Sequence, residues 1–178
     1  MIPFSIQAPL ENSKIRLVPL QDNDFERLFA VANDPKVWEQ HPNKDRYKRP
    51  MFENFFEGAV ISKGAYLIQD KLSNEILGST RFYNYSSDDN SIFIGYTFYG
   101  TKTWGTGINP QVKKMMLDYI FDHVDTVYFH VGNNNERSKK AMERLGAQKI
   151  ALEEVAYHGE PTRINVLYAI RKDDYYKV

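Results

Sequence analysis

A chain of 178 residues with 42% hydrophobic content can close one good core and is short for two, so a single domain spanning residues 1–178 is expected. Lysine plus arginine balance aspartate plus glutamate at 23 each, which leaves no global basic field to favour nucleic acid. Cysteine is absent, and with it disulfides, thiolate metal sites and a cysteine nucleophile.

The four histidines are scattered without a His-x-x-x-His pair, and no acidic run has calcium-binding spacing, so no metal is expected. Met1 to Ser5 has neither a basic n-region nor an apolar core, and no later stretch approaches membrane-spanning length. The expectation is a cytoplasmic protein without a membrane partner.

Lys14-Ile15-Arg16-Leu17-Val18 alternates polar and apolar residues and stops at Pro19, as a first strand does. Asp22 or Asn23 then caps a helix whose apolar stripe is Phe25, Leu28, Phe29 and Ala32, ended by Asn33-Asp34-Pro35. The charged segment from Lys36 to Arg49 carries Trp38, His41 and Tyr47 and reads as a loop over a substrate site. Phe52, Phe55, Phe56, Ala59 and Val60 mark a second helix up to Gly64. From Ala65 the period becomes strand-like, and turns at residues 70–74 and 86–90 divide the following sequence into an antiparallel meander. A central helix from about Asn109, a strand at residues 126–131, a helix ending at Gly146 and two strands at 148–157 and 163–170 complete the order β-α-α-β-β-β-α-β-α-β-β. This is a mixed sheet that changes from antiparallel to parallel across the central helix.

The most informative stretch follows the strand Ser91 to Tyr99. Gly105 and Gly107 permit a tight turn, Asn109 reads as an N-cap and Pro110 suits the first helical position. Backbone N–H groups converging there at the positive end of a helix dipole suit an anion such as a diphosphate. Two neighbouring glycines also make a plain turn. A Walker loop would need Gly-Lys-Ser/Thr, and a dinucleotide fingerprint a third glycine and a later acid; neither pattern is complete.

The stretch resembles the pyrophosphate loop of the GNAT superfamily of acetyl-CoA-dependent N-acetyltransferases, Gln/Arg-x-x-Gly-x-Gly/Ala opening a helix. Lys102 takes the basic-or-polar position, and Gly105 and Gly107 the glycines. Gly95-Tyr96-Thr97-Phe98, then Trp104 through Gln111 and Lys113, is similar to the branch related to ribosomal-protein N-terminal (alanine/serine) acetyltransferases. Asn135-Glu136-Arg137-Ser138 and Leu145-Gly146-Ala147 resemble the family's Asn-x-x-Ser motif and the end of its helix; Asn135 also reads as an ordinary helix cap.

The resemblance implies an α/β (α+β) fold: a GNAT-type mixed, centrally splayed sheet flanked by helices. It implies acetyl-CoA as co-substrate, contacted by Phe98, Tyr99, Lys102, Trp104, Gly105, Thr106, Gly107, Ile108, Asn109, Asn135 and Ser138. The acceptor would be an amine, a protein N-terminus or a small molecule, and a homodimer is compatible with it. A lysine-like ammonium is only about one part in a thousand neutral near pH 7.4, so the reaction needs a proton acceptor as well as alignment.

Two departures matter. Phe93 stands where many relatives have glutamate before Gly-Tyr, and Met142 where some have the tyrosine that protonates the thiolate. Ser138 is then the leading donor to the leaving thiolate. His130, Tyr83 and Glu75 are replacement bases to weigh, though His130 also reads as a satisfied strand histidine. Trp38, His41 and Tyr83 are candidate acceptor-binding residues. The departures also motivate an acyl-CoA-binding sensor without catalysis; a dinucleotide-binding oxidoreductase is a more remote alternative.

Overall fold

The computed structural model describes residues 1–177. The alternating first segment pairs as its pattern dictates: β1 (Leu10–Glu11) and β2 (Ile15–Pro19) are antiparallel, with Ile15 and Leu17 turned into the core. A 3-10 turn (Asp22–Asp24) enters α1 (Phe25–Ala32), and Asp34 caps the one-turn α2 (Pro35–Trp38) by accepting from the Lys36 N–H. α3 (Arg49–Ser62) leaves through Lys63 in the left-handed region.

The meander consists of β3 (Ala65–Asp70), β4 (Ile76–Ser86) and β5 (Ser91–Tyr99). It is followed by α4 (Ile108–Ile120), β6 (Thr126–Gly132), α5 (Glu136–Leu145), β7 (Gln148–Val155), β8 (Arg163–Arg171) and the short α6 (Lys172–Tyr175). All strands join one eight-stranded sheet in the order β1-β2-β3-β4-β5-β6-β8-β7. Among the described residues only β5 and β6 pair parallel. The parallel pair is the one bridged by a helix, because a crossover of that length is what parallel neighbours require.

Strand alternation sends side chains into two cores. On one face, Val112, Met116, Leu117 and Ile120 of α4 share a cluster with Ile92, Ile94, Val127 and Phe129. On the other, Leu28, Ala32, Phe52 and Phe55 of α1 and α3 bury Leu67 and Phe98. Each such fully buried side chain contributes roughly 1.5–3 kcal/mol of transfer free energy.

Two expectations are corrected. Trp38 does not stand on an exposed loop: it is fully buried in the second cluster, and its indole Nε1 donates to the Ala32 carbonyl at 2.7 Å. The central helix starts before Asn109, at Ile108, with Gly107 as its N-cap.

Candidate active site

The sheet splits in its middle. β5 and β6 pair only at Ser91↔Thr126, Ile92↔Val127 and Phe93↔Tyr128. Beyond those pairs residues 94–99 stay with β4 and residues 129–132 with β8, so a gap opens between two intact half-sheets. At the gap β5 carries a bulge. Its register against β4 shifts between Ser79 and Arg81, and Tyr96 sits at φ +52°, in the left-handed region that a β-strand aromatic rarely adopts. The extra residue leaves backbone groups outside the ladder, beside the opening.

The glycine loop lies where β5 ends. A 3-10 turn (Thr101–Thr103) is followed by Gly105 at φ +71° and Gly107 at φ +78°, and a Cβ at either would meet nothing within 4 Å. Space is therefore open in front of the loop, and these two residues are glycine for their backbone angles. Gly107 lets the chain enter α4 directly, so the first N–H groups of the helix are free of intrahelical partners. Asn109 consequently serves elsewhere, its Oδ1 accepting from the buried Tyr99 hydroxyl at 2.9 Å and so fastening helix to strand. Burial pushes the Tyr99 phenol well up, so it remains a donor. Thr106 donates to the Thr103 carbonyl and Trp104 to the Tyr99 carbonyl, which holds the loop's shape. Lys102 points to Glu75 at 2.7 Å, which removes Glu75 from the acceptor side.

Across the gap, β6 runs into α5. Asn135 is buried and caps that helix, its Oδ1 accepting from the Ser138 N–H at 3.1 Å. Ser138 is half-buried one turn into α5, and Met142 lies in the core one turn further on. The Arg137 guanidinium lies 3.9 Å from the centre of the Trp104 ring, a cation–π contact that spans from α5 to the glycine loop.

A strand, a gap, a loop with free N–H groups and a helix start are the geometry an acyl-CoA binder needs, and a family comparison identifies which kind. The model of the GNAT acetyltransferase domain matches residues 14–148. The chain belongs to the GNAT acetyltransferase family. Its members use acetyl-CoA as co-substrate, and the glycine backbone and α4 N-terminus fit a diphosphate. A search of curated proteins finds no significant match. Among solved structures, a GCN5-related N-acetyltransferase from Brucella melitensis is similar at TM-score 0.82 and 18% identity, over 98% of this chain and 82% of that one. The ribosomal-protein-S5-alanine acetyltransferase from Vibrio fischeri follows the fold at TM-score 0.69 and 15% identity, over 94% and 98%. A spermidine N-acetyltransferase chimera from Vibrio cholerae does so at 0.69 and 16%, over 93% and 100%.

In this GNAT domain Phe93 takes the place of the expected glutamate, and its ring stacks on His130 of β6 with centroids 4.6 Å apart. His130 Nε2 is 2.8 Å from Glu153 Oε2 on β7, while Nδ1 is buried and without a hydrogen-bond partner among the described residues. A carboxylate at Nε2 favours the tautomer with the proton on that nitrogen, which leaves Nδ1 with a bare lone pair. Glu153 lies on a strand whose burial pattern is almost wholly exposed, and nothing in its local sequence marks it as part of the site.

The same face of the sheet carries a group of aromatics and two buried guanidiniums. Tyr83 packs on Phe93 and Tyr96, and Tyr157 from the β7–β8 connection packs on Tyr96. Burial raises the Tyr83 phenol far above its ordinary range and Tyr157 to about 12, so both are hydroxyl donors at neutral pH and Tyr83 is no base. Arg46 forms a bidentate pair with Glu160, at 2.8 and 2.9 Å, with both side chains under 5% exposed. That pair ties the β7–β8 connection to the α2–α3 segment, and Gly58 of α3 allows close seating, since a Cβ there would come 3.0 Å from His158. His41 packs edge-on against Trp38, and burial with Arg46 and Arg137 nearby pushes it down to about 3, so it is neutral at any working pH. Among the described residues no cluster of three metal-ligating side chains occurs, and no helix is long and apolar enough to cross a membrane.

Proposed function

We propose that this protein, acting as one catalytic unit, transfers the acetyl group of acetyl-CoA directly to a primary amine, with His130 as the base. The observation that carries the reading is the His130–Glu153 pair beside Phe93, at the mouth of the gap between the half-sheets. The diphosphate is held by the N–H groups from Gly105 to Asn109, and Lys102, Trp104, Thr106 and Ile108 border it. Backbone of Phe98 and Tyr99 lines the gap on one side, with Asn135 and Ser138 on the other.

His130 Nδ1 accepts the proton that the attacking amine must lose, and Glu153 balances the charge this creates. The new N–C bond forms as the C–S bond breaks, and the Ser138 hydroxyl donates a hydrogen bond to the departing thiolate. The resemblance to ribosomal-protein acetyltransferases supports a protein N-terminal amine as acceptor, and the spermidine enzyme among the structural neighbours supports a small one.

Calorimetry with acetyl-CoA and CoA, followed by turnover of an amine panel by wild type and His130→Ala, tests the reading. Micromolar acetyl-CoA binding is expected, with a roughly 10²- to 10⁴-fold lower kcat in the variant and unchanged acetyl-CoA affinity. Tight binding without turnover of any amine would favour a non-catalytic acyl-CoA sensor instead. An unaltered rate in His130→Ala would return His130 to a structural role.

A further inference from the structure

Three observations on the acceptor face converge on Arg81. It is 4% exposed, on β4, opposite Gly95 and beside the bulge of β5. Its guanidinium lies 3.8 Å from the centre of the Tyr96 ring and 5.6 Å from that of Phe55, and among the described residues it has no carboxylate partner. Its Nε is buried without a hydrogen-bond partner, and its terminal nitrogen reaches only the Phe55 carbonyl, at 3.5 Å, the limit of a hydrogen bond. Arg46, the other guanidinium of this face, is fully matched by Glu160. One unit of buried positive charge is therefore left unmatched. Three rings link it to His130: Tyr96 packs on Tyr83 at 5.0 Å between centroids, Tyr83 on Phe93 at 5.3 Å, and Phe93 on His130 at 4.6 Å.

Burying an unmatched charge costs several kcal/mol, and a leucine or methionine of similar bulk would cost far less at this position. Rings supply part of what water would, through the Tyr96 face, but they supply no hydrogen-bond acceptor for Nε. A planar guanidinium with unused donors in a fixed fork is shaped for a carboxylate.

We propose that Arg81 recognises a carboxylate on the acceptor, so that the amine acetylated here belongs to a small molecule of the amino-acid type. The inference rests on the acetyltransferase reading above and narrows it. The connection tied down by Arg46 and Glu160 covers this face, which favours a small acceptor over an extended peptide. The same positive charge disfavours polyamines. The carboxylate pairs with Arg81, the Tyr83 and Tyr96 hydroxyls flank it, and the amine is directed toward His130.

The test uses the full chain with saturating acetyl-CoA and matched acceptors: free amino acids, their carboxamides, spermidine, and a short peptide with an uncharged second residue. Rates for carboxylates are expected to exceed those for the matched carboxamides by roughly tenfold or more in kcat/KM, with spermidine and peptide near background. Arg81→Met should abolish that preference through KM, leave calorimetric acetyl-CoA affinity intact and raise Tm, whereas a merely structural Arg81 would give a lower Tm. Arg81→Lys should keep part of the preference. Calorimetry of N-acetylated amino acids and their N-acetylated carboxamides against the CoA complex reads the same contact without turnover. Equal rates or equal product affinities for the two members of a pair, better turnover of spermidine or peptide, or a preference surviving Arg81→Met would overturn the proposal while leaving acetyl transfer in place. Failure of acetyl-CoA to bind at all is a separate outcome that removes the acetyltransferase reading and this inference with it.

Discussion

On the α4 face of the sheet Lys113 is 4% exposed, and its Nζ lies 2.7 Å from the Thr97 hydroxyl and 3.4 Å from that of Thr80. On the opposite face Arg81 is equally buried against aromatic rings. Burial lowers both, Lys113 to about 7 and Arg81 to about 10. The lysine can shed its proton near neutral pH and sit as a neutral amine among hydroxyls, so this face can release its buried charge. Arginine has no such exit near neutral pH and keeps its charge. One face can give up its buried charge by losing a proton, whereas the other holds a charge that it cannot shed.

Arg46 offers the hardest test of that contrast. Arg46→Ala strands the Glu160 carboxylate on the acceptor face, and urea denaturation is expected to show a loss of about 3–5 kcal/mol. A loss below about 1 kcal/mol, the value of an exposed pair, would mean the connection is held by something else. Lys113 sharpens the other side. Between about pH 7 and its unfolded value of 10.5 the unfolded chain binds more protons there than the folded one, so this group makes stability rise with pH, by at most about 1.4 kcal/mol per unit. Lys113→Met should be more stable than wild type near pH 7.5, and its advantage should shrink as pH is raised toward 10. A constant difference would place a charged lysine in that core.

Smaller effects test the gap between the faces. Gly107→Val forces a branched residue to φ +78° at the start of α4 and should weaken acetyl-CoA about tenfold, a change of about 1.4 kcal/mol readable by calorimetry. Lys102→Gln breaks an ion pair whose side chains are 83% and 50% exposed, and its stability should change by less than about 1 kcal/mol. Unchanged CoA affinity in Lys102→Gln would assign diphosphate binding to backbone alone.

The architecture is legible in the sequence because local patterns and tertiary structure agree. The alternating run at residues 15–19 and the continuous apolar run at 65–68 are strands, and the parallel step from β5 to β6 follows from the helix between those two strands. Local rules fail where a distant group intervenes. Asn109 has a good capping side chain, but the Tyr99 hydroxyl claims its oxygen, and a left-handed Gly107 begins the helix earlier. Trp38 reads as a loop aromatic because its neighbours are charged, yet α2 turns it under α3. Within the candidate site the glycine loop and the Asn135–Ser138 turn are visible as motifs. Arg81, Glu153 and the Arg46–Glu160 pair are not, since each depends on a partner present or missing far along the chain; Arg46 and Glu160 are 114 positions apart.

The split in the sheet has a mechanical consequence. Two inner edges, residues 94–99 and 129–132, face each other with ladder groups unpaired across the divide, joined only by the three pairs at one end. An amide-bearing arm of the co-substrate laid between them would act as an added strand, meeting edges that would otherwise depend on water. The half-sheets would then be coupled through the ligand. Rigidity becomes a function of metabolite supply: a ligand at a hundred times its dissociation constant adds about 2.7 kcal/mol to the folded state. The same occupancy that readies the protein for transfer would also shield its most vulnerable backbone from foreign strands.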